Sequence, residues 1–278
     1  MSYSQILVHV DETPAATLRA RTAADLASRF KAHLTGVFLT SEYIRQYMAA
    51  ESLSALPRDV VDEVLSGHQK AVEEAGEAAR MAFEAAAGDA GVASDWLTLS
   101  GDYHAPIMAA ARRADLTVMP RVAKACLSEH EISAAHLAMA SGGPVLITPQ
   151  DDYAPPVGRR VLVAWNGGRE AGRALRDAWP ILETAEEVTV LVVSPKGEGG
   201  PDGMLQRLLE RHGVSANLIV DPSQDESAGD VLERQAAELG ADMVVMGLYG
   251  RPRLQELILG GVSRQMTASL PVPILVSH

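Results

Sequence analysis

The chain has few of the features that mark secreted, membrane-spanning or nucleic-acid-binding proteins. Its single cysteine, Cys126, excludes a disulfide within the chain and is typical of a reducing compartment. No run of about 18 apolar residues occurs, so the sequence predicts no transmembrane helix. Residues 1–5 lack the basic region of a signal peptide, and we therefore expect a cytoplasmic protein.

Basic residues are also scarce. The formal net charge is -12, which argues against non-specific binding to nucleic acid or to an anionic membrane. Only three Phe and three Trp occur, although 47% of the 278 residues are hydrophobic. Two cores built from Val, Leu, Ile, Ala and Met are therefore expected, because the length suits two domains.

The two halves of the chain repeat the same pattern. An apolar strand and a polar turn, in residues 5–12 and again in residues 160–167, each lead into an amphipathic helix. The predicted helices run over Pro14–Lys31 and Arg169–Leu182. Further strands are predicted at His33–Leu39, Leu116–Met119 and Pro144–Thr148, and at Val188–Val193, Met243–Met246 and Val272–Val276.

Alternating helices and continuously apolar strands predict an α/β protein with parallel sheets covered on both faces. Each half is interpreted as a flavodoxin-like domain with a five-stranded sheet, over residues 1–150 and 151–278. The join is placed in the polar, proline-containing residues 150–158. Residues 41–87 form a long helical insertion in the first half only, either a surface helix or a lid.

A glycine-rich loop follows the predicted strand Ala241–Met246. Gly247 and Gly250 are three residues apart, Gly260 and Gly261 come later, and apolar residues at helical spacing lie between them. Glycines let a backbone approach a ligand closely, and free N–H groups at a helix start favour an anion. The order strand, loop and helix therefore predicts a phosphate-binding site.

The spacing Gly-x2-Gly-x9-Gly resembles the nucleotide-binding signature of the universal stress protein family. The resemblance covers essentially the whole chain, as a tandem of two domains with the adenine nucleotide alpha hydrolase-like fold. It implies a cytoplasmic stress-response protein that binds ATP or a related adenine nucleotide. Because the family dimerises through its last strands, we expect Pro144–Thr148 to pair with Val272–Val276 as an intramolecular pseudo-dimer, with a homodimer of chains left open.

The resemblance assigns site residues to the second half. Ala164 and Asn166 occupy the first-strand positions near adenine, and Val193 supplies backbone contacts at the end of the second strand. Met246 and Gly247 lie at the mouth of the fourth strand. The phosphates are expected among Gly250, Gly260, Gly261, Val262 and Ser263.

Two positions depart from the family pattern. Asn166 replaces an aspartate, although an amide can still donate and accept hydrogen bonds. Gly261 stands where the family has Ser or Thr, so a hydroxyl ligand is missing there. Arg253, in the first turn of the predicted helix, is the expected cation for the terminal phosphate.

The first half keeps Asp11 but has no glycine between Gly101 and Gly142. Pro120, which has no N–H, follows the strand that ends at Met119. We therefore interpret this half as a degenerate site, in which Asp11 is a turn or helix-capping residue rather than a ligand contact.

Other groups of polar residues give weaker signals. Cys126, Glu129, His130 and His136 are interpreted as scattered residues on a helix surface, because they lack the pattern of a tetrahedral zinc site. His9 is expected to be a buried, hydrogen-bonded histidine or to line the degenerate pocket. No catalytic motif is present, so no catalytic or metal-ligating residue is assigned.

Three functions remain open from the sequence. The first is an adenine nucleotide-binding protein. The second is a non-nucleotide-binding member of the family that acts through protein partners. The third, a slow nucleotide hydrolase, is supported only by analogy with the family.

Overall fold

A computed structural model of the chain describes residues 2–41, 57–100, 104–128, 131–150, 153, 156–194, 203–222, 225–248 and 271–278. The strands in these residues are β1 Gln5–His9, β2 His33–Leu39, β3 Ser94–Leu99, β4 Leu116–Pro120, β5 Val122–Lys124, β6 Glu131–Ser133, β7 Val145–Thr148, β8 Arg160–Ala164, β9 Glu187–Val193, β10 Ala216–Asp221, β11 Met243–Gly247 and β12 Ile274–Ser277. The helices are α1 Pro14–Phe30, α2 Arg58–Ala90, α3 His104–Ala111, α4 Ala134–Ser141, α5 Arg169–Asp177, α6 Trp179–Leu182, α7 Gly203–Arg211 and α8 Ala228–Glu238.

Ten of the strands form one continuous sheet in the order β10-β9-β8-β11-β12-β7-β4-β1-β2-β3. Five strands come from each half of the chain, and within each half every neighbouring pair is parallel. The expected doubly wound α/β fold with two flavodoxin-like units is therefore confirmed. Strands β5 and β6 form a separate antiparallel hairpin.

The inner strands are buried because helices cover both faces of the sheet. Along β1, for example, Ile6 and Val8 face one core and Leu7 faces the other. Helices α1, α2, α5, α6 and α7 contribute to the first core, whereas α3, α4 and α8 contribute to the second. Both cores contain residues from the two halves, so the halves share their apolar interior.

The halves meet where β12 pairs with β7. This is the one antiparallel pair in the large sheet, and it aligns Leu275 with Leu146 and Val276 with Val145. The expected pairing of residues 144–148 with 272–276 is confirmed. Each strand would otherwise be an exposed apolar edge, and pairing removes both edges at once.

Side chains from the first half also bond to the second half beside this junction. Arg29 at the end of α1 donates to the carbonyl oxygens of Val157, Gly158 and Ile181 at 3.2, 3.1 and 3.3 Å, and also contacts Thr184. Tyr3 donates its hydroxyl to the Asp177 carbonyl at 2.6 Å. These bonds give partners to carbonyl groups of the link and to the Asp177 carbonyl at the end of α5. They add a donor to Ile181, whose carbonyl also accepts from Thr184.

The internal repeat extends to individual hydrogen bonds. Asp115, just before β4, accepts from the backbone N–H groups of Ser4 and Gln5 at 2.8 and 3.0 Å. Asp242, just before β11, does the same for Gly158, Arg159 and Arg160 at 2.8 to 3.1 Å. The first strand of each unit is thus fixed to the fourth by a carboxylate in the equivalent place.

Three predicted elements differ from those observed. The helix predicted over Arg169–Leu182 is split at Ala178 into α5 and α6, because Pro180 cannot continue the hydrogen-bond ladder. The insertion contains the 33-residue helix α2, which ends at Gly91 with a φ of 65°; residues 42–56 of the insertion lie outside the described residues. Residues around Cys126, expected on a helix, form the β5–β6 hairpin and its turn instead.

Within the described ranges, no helix is both long and apolar enough to cross a membrane.

The Arg29 contacts predict a specific stability effect. Arg29→Met keeps an unbranched apolar stem but removes the guanidinium donors, leaving the carbonyl groups of residues 157, 158 and 181 less well satisfied. We expect the free energy of unfolding in urea to fall by about 1–3 kcal/mol. Arg112→Met, at an exposed arginine with one bond to the Ala140 carbonyl, is the control and should change it by less than about 0.5 kcal/mol. Equal effects of the two substitutions would contradict the assigned role.

Candidate functional site

The sheet has a topological switch point in its second half. From β8 the chain moves outward through β9 and β10, then returns to place β11 and β12 on the other side of β8. In open α/β sheets, ligands bind in the crevice outside the carboxyl ends of the strands at such a point. The carboxyl ends of β8 and β11 are therefore the candidate site.

Three of the residues assigned from the resemblance lie at this edge. Ala164 ends β8, and Val193 ends β9; both are half-buried. Met246 is the second-last residue of β11, and its side chain is buried in the core. Met246 can therefore offer a ligand its backbone more readily than its side chain.

Gly247 ends β11, and the structure gives it a packing role that the sequence did not indicate. A Cβ atom built at this position would lie 2.4 Å from the carbonyl carbon of Glu170 and 2.6 Å from the backbone nitrogen of Ala171. The first turn of α5 thus packs directly on the Gly247 backbone. Gly247 is required for helix packing whether or not it also approaches a phosphate.

Asn166 is exposed two residues beyond β8, in the turn that leads to α5. Its side-chain oxygen accepts from the Gly168 N–H at 2.8 Å, while Gly167 between them has a φ of 71°. This Asx turn sets the direction of α5, and Asn166 therefore has a structural role in addition to the one expected from the resemblance.

Six further assigned residues, Gly250, Arg253, Gly260, Gly261, Val262 and Ser263, lie outside the described residues. Leu248 is described, is buried, and its carbonyl oxygen lies 3.1 Å from His278 Nδ1. The phosphate cradle accordingly stays a prediction from the sequence.

Charged residues that the sequence analysis did not select surround the crevice. The carboxylate of Glu170, in the first turn of α5, accepts hydrogen bonds from the backbone N–H of the same residue and, at 3.0 Å, from the Arg169 guanidinium. These bonds lower the pKa of the Glu170 carboxyl. At the end of β10, the buried carboxylate of Asp221 accepts from Arg234 at 2.8 Å, and Arg234 also bonds Glu226 at 3.0 Å. Arg234 thus bonds two carboxylates, and it holds the start of α8 against the end of β10.

A capping box starts α8. Asp225 and Ser227 are both of residue types that cap helices, and Ser227 is the N-cap residue. Its hydroxyl accepts from the Asp230 N–H at 3.1 Å, while the Asp230 carboxylate accepts from the Ser227 N–H at 3.3 Å. This capping box fixes where α8 begins next to the end of β10.

The equivalent edge of the first half is filled by its own side chains. Asp11 accepts from the Thr13 N–H at 3.0 Å, which confirms a turn role, and its second oxygen accepts from Arg19 at 2.9 Å. Arg19 is 1% exposed and also donates to the His9 carbonyl at 2.6 Å. Burial alone would raise the pKa of the Asp11 carboxyl, but Arg19 and the Thr13 bonds lower it overall.

His9 lies beside this ion pair and corrects one expectation. It is buried as predicted, but neither ring nitrogen makes a hydrogen bond of standard geometry within the described part of the chain. Nδ1 is 3.6 Å from the Asp11 carboxylate, and the ring also approaches the Lys124 backbone. Burial, helped by Arg19, lowers the pKa of His9 from 6.5 to about 3, so the ring is neutral near pH 7.

The β5–β6 hairpin replaces the glycine loop in the first half. Ala123 and Ile132 on its two strands are buried, and so are Ala125 and Cys126 just beyond β5. Cys126 donates its backbone N–H to the Leu39 carbonyl at 2.8 Å, so this segment covers the carboxyl end of β2. The interpretation of Cys126 as a helix-surface residue is wrong, and burial raises the pKa of its thiol to about 11.

The metal alternative gains no support. No group of three or more His, Cys, Asp or Glu side chains among the described residues could hold a metal ion. His136 is exposed on α4 and stacks on His104 with ring centroids 5.6 Å apart, whereas Cys126 is buried. Glu129 and His130 lie outside the described residues.

Comparisons with known proteins agree with this architecture. Residues 223–278 match the model of the universal stress protein family. A universal stress protein from Archaeoglobus fulgidus superimposes with a TM-score of 0.69 at 18% identity, covering 98% of this chain and 97% of that chain. The chain therefore has the fold of a tandem universal stress protein.

Two structures from Pseudomonas aeruginosa are also similar. A putative universal stress protein from strain UCBPP-PA14 has a TM-score of 0.56 at 16% identity, covering 99% of this chain and 93% of that chain. A functionally unknown protein from strain PAO1 has a TM-score of 0.59 at 16% identity, covering 99% and 92%. No curated protein matches the chain. At these identities the structural likeness establishes the fold alone, and the sequence match to the family lies in the C-terminal residues.

The contact between Gly247 and α5 can be tested by substitution. Gly247→Ala should lower the free energy of unfolding by at least about 1–3 kcal/mol, because backbone atoms of α5 occupy the space that the methyl group needs. Gly67→Ala in α2 is the matched control, since a Cβ there meets nothing within 4 Å. It should stabilise the protein by about 0.5–1 kcal/mol. A tolerated alanine at position 247 would show that α5 does not pack as described.

The buried His9 predicts a pH dependence of stability. Its pKa is near 6.5 in the unfolded chain and about 3 in the fold, so the unfolded chain binds more protons between these values. The free energy of unfolding is therefore not reduced by His9 above about pH 6.5. As the pH falls from 6.5 toward 3, protonation of His9 in the unfolded chain lowers this free energy by up to about 1.4 kcal/mol per pH unit. His9→Gln should make the free energy of unfolding flatter between pH 6.5 and 5 than in wild type. His136→Gln, at an exposed histidine, should leave the wild-type slope unchanged, and identical slopes for His9→Gln and wild type would contradict the assignment.

Proposed function

We propose that this universal stress protein binds one adenine nucleotide per chain, ATP or a close relative, in its C-terminal half. The observation that carries the proposal is the difference between two equivalent edges of one sheet. At the first-half edge, Arg19 and the β5–β6 hairpin occupy the space above β1 and β2. At the second-half edge, β11 at the switch point continues in the sequence into a glycine-rich segment that includes Gly247 and Gly250.

The proposed site uses Ala164, Asn166 and Val193 beside the base and sugar, and the loop from Gly250 to Ser263 around the phosphates. Arg253 is the proposed partner of the terminal phosphate, because Gly261 offers only a backbone N–H where the family has a hydroxyl. The domain limits proposed for the two units are residues 1–150 and 151–278. The protein is proposed to act in the cytoplasm as a binding protein rather than as an enzyme.

A second candidate function is supported by two observations. Gly247 is already required by the packing of α5, so its presence alone does not indicate phosphate binding. The acceptor oxygen of Asn166 is bonded to Gly168 and is less available to a ligand. Both are compatible with a member of the family that binds no nucleotide and acts through a protein partner.

Nucleotide titration separates the two candidates. Isothermal titration of the full chain with ATP should give about one site, and mass spectrometry should detect an adenine nucleotide released from freshly purified, denatured protein. Gly250→Val should abolish the heat of binding, because a branched side chain prevents the close backbone approach that the loop provides. Gly67→Val, on the exposed face of α2, is the control and should bind like wild type.

A stoichiometry of two would place a second nucleotide in the first half and contradict the reading of that edge as filled. Full binding by Gly250→Val would contradict the loop assignment. Absence of binding together with no co-purified nucleotide would favour the protein-partner function.

A further inference from the structure

The side chain of Asn166 has a fixed orientation. Because only an oxygen can accept the Gly168 N–H, the 2.8 Å bond places Oδ1 toward the backbone and turns Nδ2 away from it. Asn166 is exposed at the mouth of the crevice, so the NH2 group is its outward-facing polar group. An amide nitrogen is a hydrogen-bond donor only, whereas a carboxylate at this position would be an acceptor only.

The first half contains the carboxylate version of the same position. Asp11 precedes α1 by three residues, as Asn166 precedes α5, and both side chains accept from the N–H two residues later. The outer oxygen of Asp11 is neutralised by Arg19, which is fully buried in α1. The two halves thus share the turn but differ in what faces outward from it.

The second half has no arginine at the position equivalent to Arg19. Arg19 lies eight residues after Asp11, and the residue eight after Asn166 is Ala174, which lies on α5 and is buried in the core. An aspartate at position 166 would therefore lack the buried partner that Asp11 has on its own helix, and Glu170 already places one carboxylate in the first turn of α5. The second half thus combines an uncharged Asn166 with an uncharged Ala174, at the positions where the first half combines the charged Asp11 with the charged Arg19.

We propose that Asn166 is a specificity-determining residue that donates a hydrogen bond to the bound nucleotide, and so selects for an acceptor atom at this point of the crevice. An aspartate in the same turn would select for a ligand hydroxyl or amino group instead. The acceptor is either a phosphate oxygen or an oxygen or ring nitrogen of the nucleoside. This inference rests on the proposed nucleotide binding in the C-terminal half.

Two substitutions preserve the turn while changing what faces the ligand. Asn166→Ser keeps an oxygen for the Gly168 N–H but replaces the outward NH2 group with a single O–H on a side chain that is one atom shorter. Asn166→Asp keeps the oxygen but replaces the donors with a negatively charged acceptor. Thermal unfolding of both variants should match wild type, because the bond that starts α5 is retained in each. The binding measurements are titrations of the full-length protein with ATP and with adenosine.

We expect Asn166→Ser to bind ATP about 3- to 10-fold more weakly than wild type, the usual effect of losing one neutral hydrogen bond. Asn166→Asp should weaken ATP binding by at least about tenfold, because it adds repulsion to the lost donor. If adenosine binding is unchanged in Asn166→Ser, the acceptor is a phosphate oxygen. If adenosine is weakened as much as ATP, the acceptor belongs to the nucleoside.

Wild-type affinity in Asn166→Ser would overturn the inference, since the shorter hydroxyl cannot reach the acceptor that the amide NH2 group is proposed to contact. Equal or tighter binding by Asn166→Asp would also overturn it, because the ligand would then donate at this point. Failure of the proposed function is measured separately, because the wild-type chain would then bind no ATP. In that case the inference about Asn166 would also be overturned.

Discussion

The antiparallel pairing of β12 with β7 is the interaction on which the rest of this structure depends. Both strands are short, fully buried and apolar, and neither could remain at the edge of a five-stranded sheet without exposing an aggregation-prone surface. Their pairing joins two parallel half-sheets into one sheet of ten strands and lets both cores extend across the junction. Arg29 then secures the connection by bonding carbonyl groups of the link and of α6, so the relation between the halves is fixed by backbone pairing together with directed hydrogen bonds.

The two halves share one sheet, but the carboxyl edges of their strands differ. The first half has a buried ion pair, a neutral histidine and a hairpin over its carboxyl edge, and these side chains occupy the place where a ligand of a doubly wound sheet would lie. Burying Arg19 is tolerable only because Asp11 compensates its charge, since an unpaired buried charge would cost several kcal/mol. At the equivalent positions the second half has Asn166 and Ala174 instead. The same turn therefore closes one edge and leaves a hydrogen-bond donor facing outward at the other.

Gly247 illustrates how one residue can satisfy two demands. A glycine directly after a buried strand fits a phosphate-binding loop, and the same glycine admits the backbone of α5. The two roles are compatible, because the side of the glycine that faces α5 is the side a Cβ would occupy, while its backbone continues toward the loop. Gly250 is for that reason a better probe of nucleotide binding than Gly247, whose substitution is expected to disturb α5 first.

The sequence by itself determined the fold class, the repeat and the order of the strands along the chain, since apolar runs and their spacing are local properties that determine which strands must be buried. The pairing of residues 144–148 with 272–276 was expected from the repeat together with the resemblance to a family that dimerises through its last strands. The sequence also placed Asp11 in a turn or at a helix cap, because turns and caps depend on neighbours in the chain. The tertiary structure alone decided that Arg19 neutralises Asp11, that Cys126 is covered by a hairpin and that Gly247 touches α5. These contacts join residues from different elements, and no local pattern encodes the distance between them. The orientation of Asn166 was decided in the same way: the sequence names an amide that can donate or accept, and the bond from Gly168 turns its oxygen toward the backbone and its NH2 group outward.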